Sequence, residues 1–558
     1  MKTAIIVVAG ILSLQAIVCA YTDGDGTTTN PYTISNTADL VQLASTPADW
    51  EKAFVLTTDL DLTGVALSPI GNWGKAFAGV FDGGGFTLSH LTMNLPNAEN
   101  VGLFGLVRSP AVIQGIRLEN VSIVGKSYIG ALAGWNEGGA IMACSASGSV
   151  SAANAAGGLV GVNEGTLSHS SCTVTVLTSH SSRSHAGGLA ATNYGDISDC
   201  YACGSVTVSG YTANAGGLAA INDHGTIVRS YATGTVQADS TRDSAFAGGL
   251  AALNESGTID RCYAQGDVAA SCLIGSGASA AWSSAGGLVG FNHKGMITRS
   301  YATGFAKSEA SATANNEINC WSSAGGIAAD NTGAIDNCYA LGHTDASSNV
   351  LSVLPVPSSA WSSSGGVVGR NRGVVVPTEL GQVSACYATG TAAASSTISS
   401  AGSAAYTYVG GVIGENGGGT VRRCFWDVDS SSIAQATGDG AGTITDVYGM
   451  TTPAMQTRST YTDFGWDFVG ETANGLDDVW RLCDNGAKYP YFNWNRAIAA
   501  DFACPDGVAY EDFGYLAARW LRTDCQATGG CGGADMDGSG QVNPADLERF
   551  VDVWLAVQ

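Results

Sequence analysis

Charged side chains are scarce in this sequence. Asp, Glu, Lys and Arg make up 13% of its 558 residues, and 47 acidic residues face 24 basic ones, for a net charge of −23. Such a balance repels nucleic acid and anionic lipid at long range, and no basic run interrupts it, so nucleic-acid partners are excluded. With 76 glycines as well, the chain is neither disordered by charge nor helical by propensity.

Long apolar runs are also lacking, except at the start. The first twenty residues combine Lys2, an apolar run over 4–17 and a cleavage-site-like end at 18–20. This pattern is typical of a secretory signal peptide (1–20) cleaved before Tyr21. Lipid attachment at Cys19 is the alternative, although Val18 is a poor residue to precede a lipidated cysteine. No later segment reaches the roughly eighteen apolar residues of a membrane span. The sequence predicts a secreted protein, extracellular or at the cell surface.

Catalytic patterns are missing too. The seven histidines include no His-Glu-x-x-His, and His180 and His185 lie in a Ser-rich stretch at neither helical nor strand spacing. No Gly-x-Ser-x-Gly has plausible partners, and no column of acids recurs at matching repeat positions; Asp427 and Asp429 are the nearest pair. We therefore expect no catalytic residues.

What the sequence does have is a repeat. Two small residues, Gly-Gly in eight of nine copies, precede an apolar stretch, and Asn follows six positions after the first Gly. The copies begin at Gly130, Gly157, Gly187, Gly216, Gly248, Gly286, Gly325, Gly365 and Gly410. A second phrase, such as TIVRSYATG over 226–234, follows most copies. Each unit is predicted to be strand, Asn-Gly turn, strand and loop, and two strands cannot bury an apolar face alone, so the units must stack.

This stacking predicts an all-β fold. Parallel strands joined by crossovers wind right-handed, so we expect a right-handed parallel β-helix, a solenoid with one coil per repeat and a rise of about 4.8 Å. Asparagines would form a ladder at one corner, each bonding a turn backbone and its neighbour's amide. They are Asn136, Asn163, Asn193, Asn222, Asn254, Asn292, Asn331, Asn371 and Asn416. Extra Ser, Ala and Thr residues between later copies are expected to form loops.

Two further residue types recur in register. Seven of the fourteen cysteines that remain without Cys19 are predicted to share one inward position, where Ser230 and Ser300 replace them: Cys144, Cys172, Cys200, Cys262, Cys338, Cys386 and Cys424. Stacked buried thiols are favoured over disulfides between coils, because each bridge would need both partners. Trp282, Trp321 and Trp361 precede three consecutive Gly-Gly phrases and either stack on sugars or fill a corner of the coil.

The repeat resembles the GLUG motif of bacterial surface adhesins and of the non-catalytic regions of IgA-cleaving metallopeptidases. The resemblance covers residues 130–426 and implies fold rather than activity. Residues 21–129 are predicted to hold an N-terminal cap and the first coils, with Ser35 or Asn36 capping a short helix that carries Leu40 and Leu43. Residues 427–496, rich in aromatics, are predicted to be a C-terminal cap that closes the apolar stack.

From about residue 497 the pattern changes. The stretches 512–521 and 546–555 match each other and predict a pair of short amphipathic helices. Between them, residues 535–547 (DMDGSGQVNPADL) fit a calcium loop, with oxygen ligands at positions 1, 3, 5, 7, 9 and 12 and a glycine, Gly540, at position six. The predicted metal ligands are Asp535, Asp537, Ser539, the Gln541 carbonyl, Asn543 and Asp546.

An Asp at the twelfth loop position and a single helix after the loop resemble dockerin modules. A first loop over 501–512 has Ala503 and Pro505 where ligands belong, so the 497–558 module resembles the degenerate dockerins at the ends of secreted planctomycete proteins. This resemblance implies calcium as a cofactor and a cohesin-like protein as partner, recognised through Pro544 and Ala545. Cys504, Cys525 and Cys531 are expected to supply a disulfide, with Cys483 as a further candidate.

The predicted function is that of a secreted, non-catalytic β-helical adhesion or binding protein, tethered through its calcium-stabilised module. Its ligand would be an extracellular polysaccharide or another cell-surface molecule. The alternative is a carbohydrate-active β-helix, a polysaccharide lyase or hydrolase, held in a dockerin-linked complex. A third interpretation is a spacer in a surface layer.

Overall fold

Parallel strands dominate the computed structural model of this chain. It describes residues 21–556 except 276–279, 315–316, 353–356, 374–380, 400–402, 470–472, 476, 483–487, 495–509, 526–530, 532–533 and 538, so the expected signal peptide lies outside the described residues. Two large sheets, of 40 and 11 strands, run the length of the repeats, and the strand pairs within them are parallel. The chain is a parallel β-solenoid, as the repeat predicts.

The eleven-stranded sheet contains the strand that ends each Gly-Gly phrase. Its strands are Phe104–Arg108, Ala133–Glu137, Val160–Asn163, Ala190–Asn193, Ala219–Asp223, Ala251–Glu255, Val289–His293, Ala328–Asn331, Val368–Arg372, Ile413–Gly417 and Thr437–Asp439. Each repeat asparagine pairs in register with that of the next repeat, from Asn136 and Asn163 to Asn371 and Asn416. One repeat therefore makes one coil.

The nine asparagines form a continuous hydrogen-bonded ladder. From Asn136 to Asn371, each Nδ2 donates to Oδ1 of the next asparagine at 2.8–3.1 Å. The same Nδ2 also donates to a glycine carbonyl of its own turn, such as Gly257 for Asn254. All nine side chains are buried, so the ladder satisfies backbone groups that water cannot reach. The predicted ladder is confirmed.

Removing one ladder asparagine should lower the stability of the fold. Asn254 Nδ2 donates to Asn292 Oδ1 and to the Gly257 carbonyl, and its Oδ1 accepts from Asn222. Asn254→Ala leaves buried groups unpaired, so we expect the free energy of unfolding to fall by about 1–3 kcal/mol, measured by denaturant unfolding. Asn349→Ala, which removes an asparagine from a partly exposed outer position, is the control. Parent-like stability of Asn254→Ala would refute the ladder's structural role.

Two short strand positions recur along the coils, after the strands of the eleven-stranded sheet. The first comprises Val112–Gln114, Ala140–Met142, Thr166–Ser168, Asp196–Ser198, Thr226–Val228, Thr258–Asp260, Met296–Thr298, Ala334–Asp336 and Gln382–Ser384. The second comprises Ser171–Cys172, Tyr201–Ala202, Tyr231–Ala232, Tyr263–Ala264, Tyr301–Ala302, Tyr339–Ala340 and Tyr387–Ala388, and Thr420–Asp427 continues both. A residue with left-handed φ, such as Arg229 at 48°, turns the chain between them.

The Ser- and Ala-rich stretches expected as loops are strands instead. They form Thr175–Gly187, Val206–Gly216 and Val236–Gly248, and in later coils the pairs Val268–Ile274 and Ala280–Gly286, Ala306–Ala314 and Asn319–Gly325, Thr344–Ser352 and Ser359–Gly365, and Ala392–Ile398 and Ala404–Gly410. In the later coils the two strands of a pair face each other across small side chains: Ser322 Oγ donates to Ser308 Oγ at 2.8 Å, and Ser362 Oγ to Ser348 Oγ at 2.8 Å. Alternating Ala and Ser can thus fill a narrow interior that larger residues could not.

The inward cysteine column is confirmed with one correction. Ser170, not Cys172, lies at the shared position, and Cys172 pairs with Ala146 and Ala202, two residues further along. Cysteine and serine interchange because both donate to the carbonyl two residues back, Cys200 to Ser198 and Ser230 to Val228. The described column cysteines are free thiols, and burial raises the pKa of Cys144 to about 11, which keeps that thiol protonated at neutral pH.

The amino-terminal end is closed by a helix. α1 (Thr37–Ser45) begins after Asn36, whose Oδ1 accepts the Asp39 N–H at 3.1 Å, and it buries Leu40 and Leu43 as predicted. A 3₁₀ turn (Pro47–Asp49) follows. The first coils use strands Tyr32–Ile34, Ala53–Leu56, Leu60–Asp61, Val80–Asp82, Thr87–Ser89, Thr92–Asn94 and Glu99–Val101, then Arg117–Gly125, Ser127–Ile129, Ser145–Ala152 and Ala155–Gly157.

The carboxyl-terminal aromatic segment differs from the expected lid. Residues 427–450 add a further coil, with helix α2 (Val428–Ser431) and strands Thr437–Asp439 and Thr443–Met450. The next segment has helices α3 (Thr452–Met455) and α4 (Ser459–Thr462) and an antiparallel pair, Trp480–Arg481 with Tyr491–Phe492. Its aromatics pack along the side of four successive coils, against Tyr301, Tyr339, Tyr387 and Phe425. We call residues 451–494 the outer aromatic segment.

The last described part is a separate small core. Helices α5 (Tyr510–Ala518) and α6 (Pro544–Ala556) confirm the predicted helix pair, with Phe513 packed against Phe550 and Tyr510 against Trp554. A disulfide joins Cys525 to Cys531, as expected for two of the candidate cysteines. Cys483 and Cys504 lie outside the described residues.

Candidate metal centre and outer surfaces

Three acidic side chains converge just before helix α6. Asp535, Asp537 and Asp546 each place a carboxylate oxygen within 4.8 Å of the other two. Gly540 has a φ of +89° at the predicted sixth position, where other residues would be strained. The chain therefore makes the tight turn that lets residues far apart in the loop face one point.

The carboxylates are held by backbone donors. Asp546 is fully buried, and its oxygens accept the N–H groups of Met536 at 2.6 Å, Asp537 at 3.0 Å and Asn543 at 2.8 Å. Asp535 Oδ2 accepts the Gly540 N–H at 2.9 Å, whereas its buried Oδ1 has no partner among the described residues. A buried acceptor left open beside two further carboxylates fits the needs of a hard cation with oxygen ligands.

The three neutral candidates hydrogen-bond to one another. Ser539 Oγ donates to the Gln541 carbonyl at 3.2 Å, and Asn543 Nδ2 donates to both groups. Asn543 Oδ1 accepts the Ala545 N–H at 2.9 Å and so caps α6. The structure thus brings together the three predicted carboxylates, and it shows the other three candidates bonded to one another. Most of the first loop, 501–509, lies outside the described residues.

The nearest pair of acids in the rod has a structural role. Asp427 is fully buried and caps α2 by accepting the N–H groups of Asp429 and Ser430 at 2.9 and 3.1 Å. It also accepts hydrogen bonds from the hydroxyl groups of Thr452 and Tyr489. These contacts use both oxygens of Asp427 to join the last coil to the outer aromatic segment.

The tryptophans form a continuous stack. Ring centroids are 5.2 Å apart for Trp282 and Trp321, 5.0 Å for Trp321 and Trp361, and 5.5 Å for Trp361 and Tyr406. Sugars stack on a free ring face, but each inner ring here has both faces against a neighbour in the column. The geometry favours the corner-filling alternative for Trp321 and Trp361, which leave only their edges to solvent.

Sequence reasoning missed a charged cluster beside this stack. Asp330, Arg370 and Arg372 lie close to Trp282 and are joined by ion pairs. The signal was present in the eighth copy of the repeat, GGVVGRNRG, where arginines flank the ladder asparagine. The cluster could not be inferred, since it joins residues of three different coils.

None of the helices in the described part of the chain has the length and apolar character needed to span a bilayer.

With the fold and these sites established, the class of protein is a repeat-built parallel β-solenoid. The model of the GLUG motif matches residues 125–151, and the other copies lie in register with that one. Residues 125–151 therefore carry a GLUG motif, and the other copies repeat its strand in register.

Two relatives share part of the sequence. Halomucin of Haloquadratum walsbyi is 30% identical over 173 residues, which cover 28% of this chain and 2% of halomucin. A protein of Evansella cellulosilytica, provisionally described as a Gly-rich membrane protein, is 29% identical over 133 residues, 22% of this chain and 15% of that protein. The chain thus spans a small fraction of the length of either relative.

One solved structure is also similar. A crystal structure from Bacteroides ovatus, provisionally described as an immunoglobulin A1 protease, aligns with 85% of this chain and 96% of its own, at 17% identity and a TM-score of 0.25.

Proposed function

We propose that this protein is a non-catalytic binding rod of the cell surface or extracellular space, which a calcium-ordered C-terminal module attaches to a partner. The observation that carries the proposal is the convergence of Asp535, Asp537 and Asp546 around the unpartnered Oδ1 of Asp535. Without a cation these carboxylates repel one another, so calcium should order the loop and the helix that follows.

The rod supports the binding role. Its coils stack through backbone ladders and a small-residue interior, and the long strands carry partly exposed aromatic and polar side chains on the outside. Halomucin and a Gly-rich membrane protein are each similar to part of this chain, and their names are consistent with a surface location. An extracellular polysaccharide or another surface molecule is the proposed ligand.

The module supports the tethering role. Two helices flank a small core closed by the Cys525–Cys531 disulfide, and the calcium loop leads directly into α6. Pro544 and Ala545 begin that helix beside the carboxylates, so calcium binding would fix the surface they present. A dockerin-like module of this kind would bind a cohesin-like protein.

Calcium titration tests the proposal. We expect calorimetry of residues 21–558 to show one calcium site, because one loop has a complete ligand set. Asp535→Ala should abolish that site, since it removes the acceptor that no protein donor satisfies. Asp524→Ala is the control, because Asp524 is an acid of the same module that pairs with Arg522. Two equivalent sites, or none, would refute the proposed calcium module.

A further inference from the structure

One carboxylate in the rod is shared by two arginines. Asp330 is buried, and its Oδ1 accepts both Arg370 Nε at 2.7 Å and Arg372 Nη2 at 2.8 Å. Its Oδ2 accepts the Ser284 hydroxyl at 2.6 Å. Burial alone would raise the pKa of Asp330, but the two guanidinium groups outweigh it and lower the pKa to about 2. The carboxylate is therefore ionised at neutral pH, and two cations share it.

The surrounding donors exceed the acceptors. Four buried donor atoms have no partner among the described residues: Trp282 Nε1, Ser323 Oγ, Arg370 Nη2 and Arg372 Nε. Both guanidinium carbons lie near the Trp282 ring, 5.0 and 5.1 Å from its centroid. Ser323 is the in-register neighbour of Ser284 in the next coil. We call Trp282, Ser323, Asp330, Arg370 and Arg372 the arginine corner.

Such a surplus requires an acceptor, because buried polar groups in native structures are nearly always bonded. Glu415 follows Arg370 in register, but its carboxylate bonds Ser363 at 3.4 Å, and no ion pair joins it to either arginine of the described chain. Burial lowers the pKa of Arg370 and the charge of Arg372 lowers it further, although Asp330 and Glu415 act in the opposite direction. A water molecule could accept hydrogen bonds here, but it would supply no charge.

A second cluster in the rod shows what burial adds. Arg261 and Arg299 share Asp260 at 2.9 and 2.7 Å, each on a different carboxylate oxygen. Their side chains are 35% and 39% exposed, so water can satisfy their remaining donors, whereas Arg370 is 7% exposed. Asp330 is also where this column of the eleven-stranded sheet changes character: Ile221, Leu253 and Phe291 precede it, and charged residues follow it.

We propose that the arginine corner binds an oxyanion, a carboxylate or sulfate group carried by an acidic polysaccharide. A planar guanidinium matches such a group with paired N–H donors, and the indole N–H and the serine hydroxyl add neutral donors. Arg372 is 33% exposed and provides the side from which a ligand reaches the corner. The polysaccharide as the source of the anion rests on the binding role proposed above; the anion site itself does not.

Titrations with two probes test this site. Calorimetry of residues 21–558 with sodium sulfate and with an oligogalacturonate, at fixed calcium and ionic strength, should show binding of both. Arg372→Gln should weaken binding at least tenfold. Arg299→Gln should leave it unchanged, because it removes the same charge from the Asp260 cluster, whose arginines are exposed. Arg372→Lys keeps the charge but loses the planar pair of N–H donors, so its affinity should lie between those of Arg372→Gln and the parent.

The outcomes separate the sources of the anion. Binding of the oligosaccharide supports a glycan-borne group, and binding of sulfate alone supports the anion site with a free ion as its ligand. Absence of binding to either probe would overturn the proposal, as would equal loss in Arg372→Gln and Arg299→Gln, which would indicate unspecific charge effects. Circular dichroism checks that each variant is folded. If Arg372→Gln does not fold, the affinity of Arg372→Lys relative to the parent tests the proposal. Failure here leaves the calcium test of the module untouched.

Discussion

Gly248→Ala is expected to disrupt the solenoid. A Cβ atom at Gly248 would lie 1.8 Å from the Ala251 carbonyl oxygen and 2.7 Å from the Gly290 nitrogen. Both are backbone atoms of strands locked in ladders, so neither can move without breaking the pairing between coils. We expect the free energy of unfolding to fall by about 3 kcal/mol or more, the upper end of the cost of overpacking.

Denaturant unfolding followed by circular dichroism measures this loss. The control is Gly275→Ala, because a Cβ there would have no atom within 4 Å. A Gly248→Ala variant as stable as the Gly275→Ala variant would show that the first glycine of the repeat is not required by the corner it forms.

Trp480→Ala should detach the outer aromatic segment from the rod. Trp480 is fully buried, with ring centroids 4.6 Å from Trp466 and 4.5 Å from Phe492, and its Nε1 donates to Asn337 Oδ1 at 3.0 Å. Removing a buried tryptophan costs about 3–5 kcal/mol. Because this core is separate from the interior of the coils, the loss should be confined to residues 451–494.

Limited proteolysis locates the effect. Cleavage of Trp480→Ala should begin within 451–494 while the repeats persist, and Trp73→Ala, at a residue that is 59% exposed, should resist like the parent. Simultaneous loss of the repeats would mean that the outer aromatic segment and the rod form one cooperative unit.

Much of the fold could be predicted because the repeat encodes it locally. The constant spacing from Gly to Asn fixed one coil per repeat, and the ladder followed from stacking identical turns. The prediction for Cys172 is wrong by two residues. Ser170 lies at the inward position and donates to a backbone carbonyl as the column cysteines do, and the sequence alone does not distinguish it from the neighbouring serines. The Ser- and Ala-rich strands were mistaken for loops, since small residues have weak strand propensity alone and are held here by pairing with neighbouring coils.

Whether a site could be predicted also depended on whether its residues are close together in the sequence. The calcium loop is contiguous, so Asp535, Asp537 and Asp546 could be assigned from spacing alone. The arginine corner could not, because Trp282, Asp330 and Arg370 come from three coils, and their contact depends on which outward positions face each other across a bend. The outer aromatic segment posed the same difficulty: its composition indicated a lid, but the tyrosines that it covers lie along the side of the coils.

The central claim is that a self-sufficient rod carries a separate module ordered by calcium. Hydrogen–deuterium exchange of residues 21–558, with and without calcium, tests both halves in one measurement. We expect calcium to increase protection in α5, α6 and the 535–546 loop, and to leave the repeats over 130–426 unchanged. Protection that changes throughout the repeats, or that fails to change in 510–556, would contradict the account.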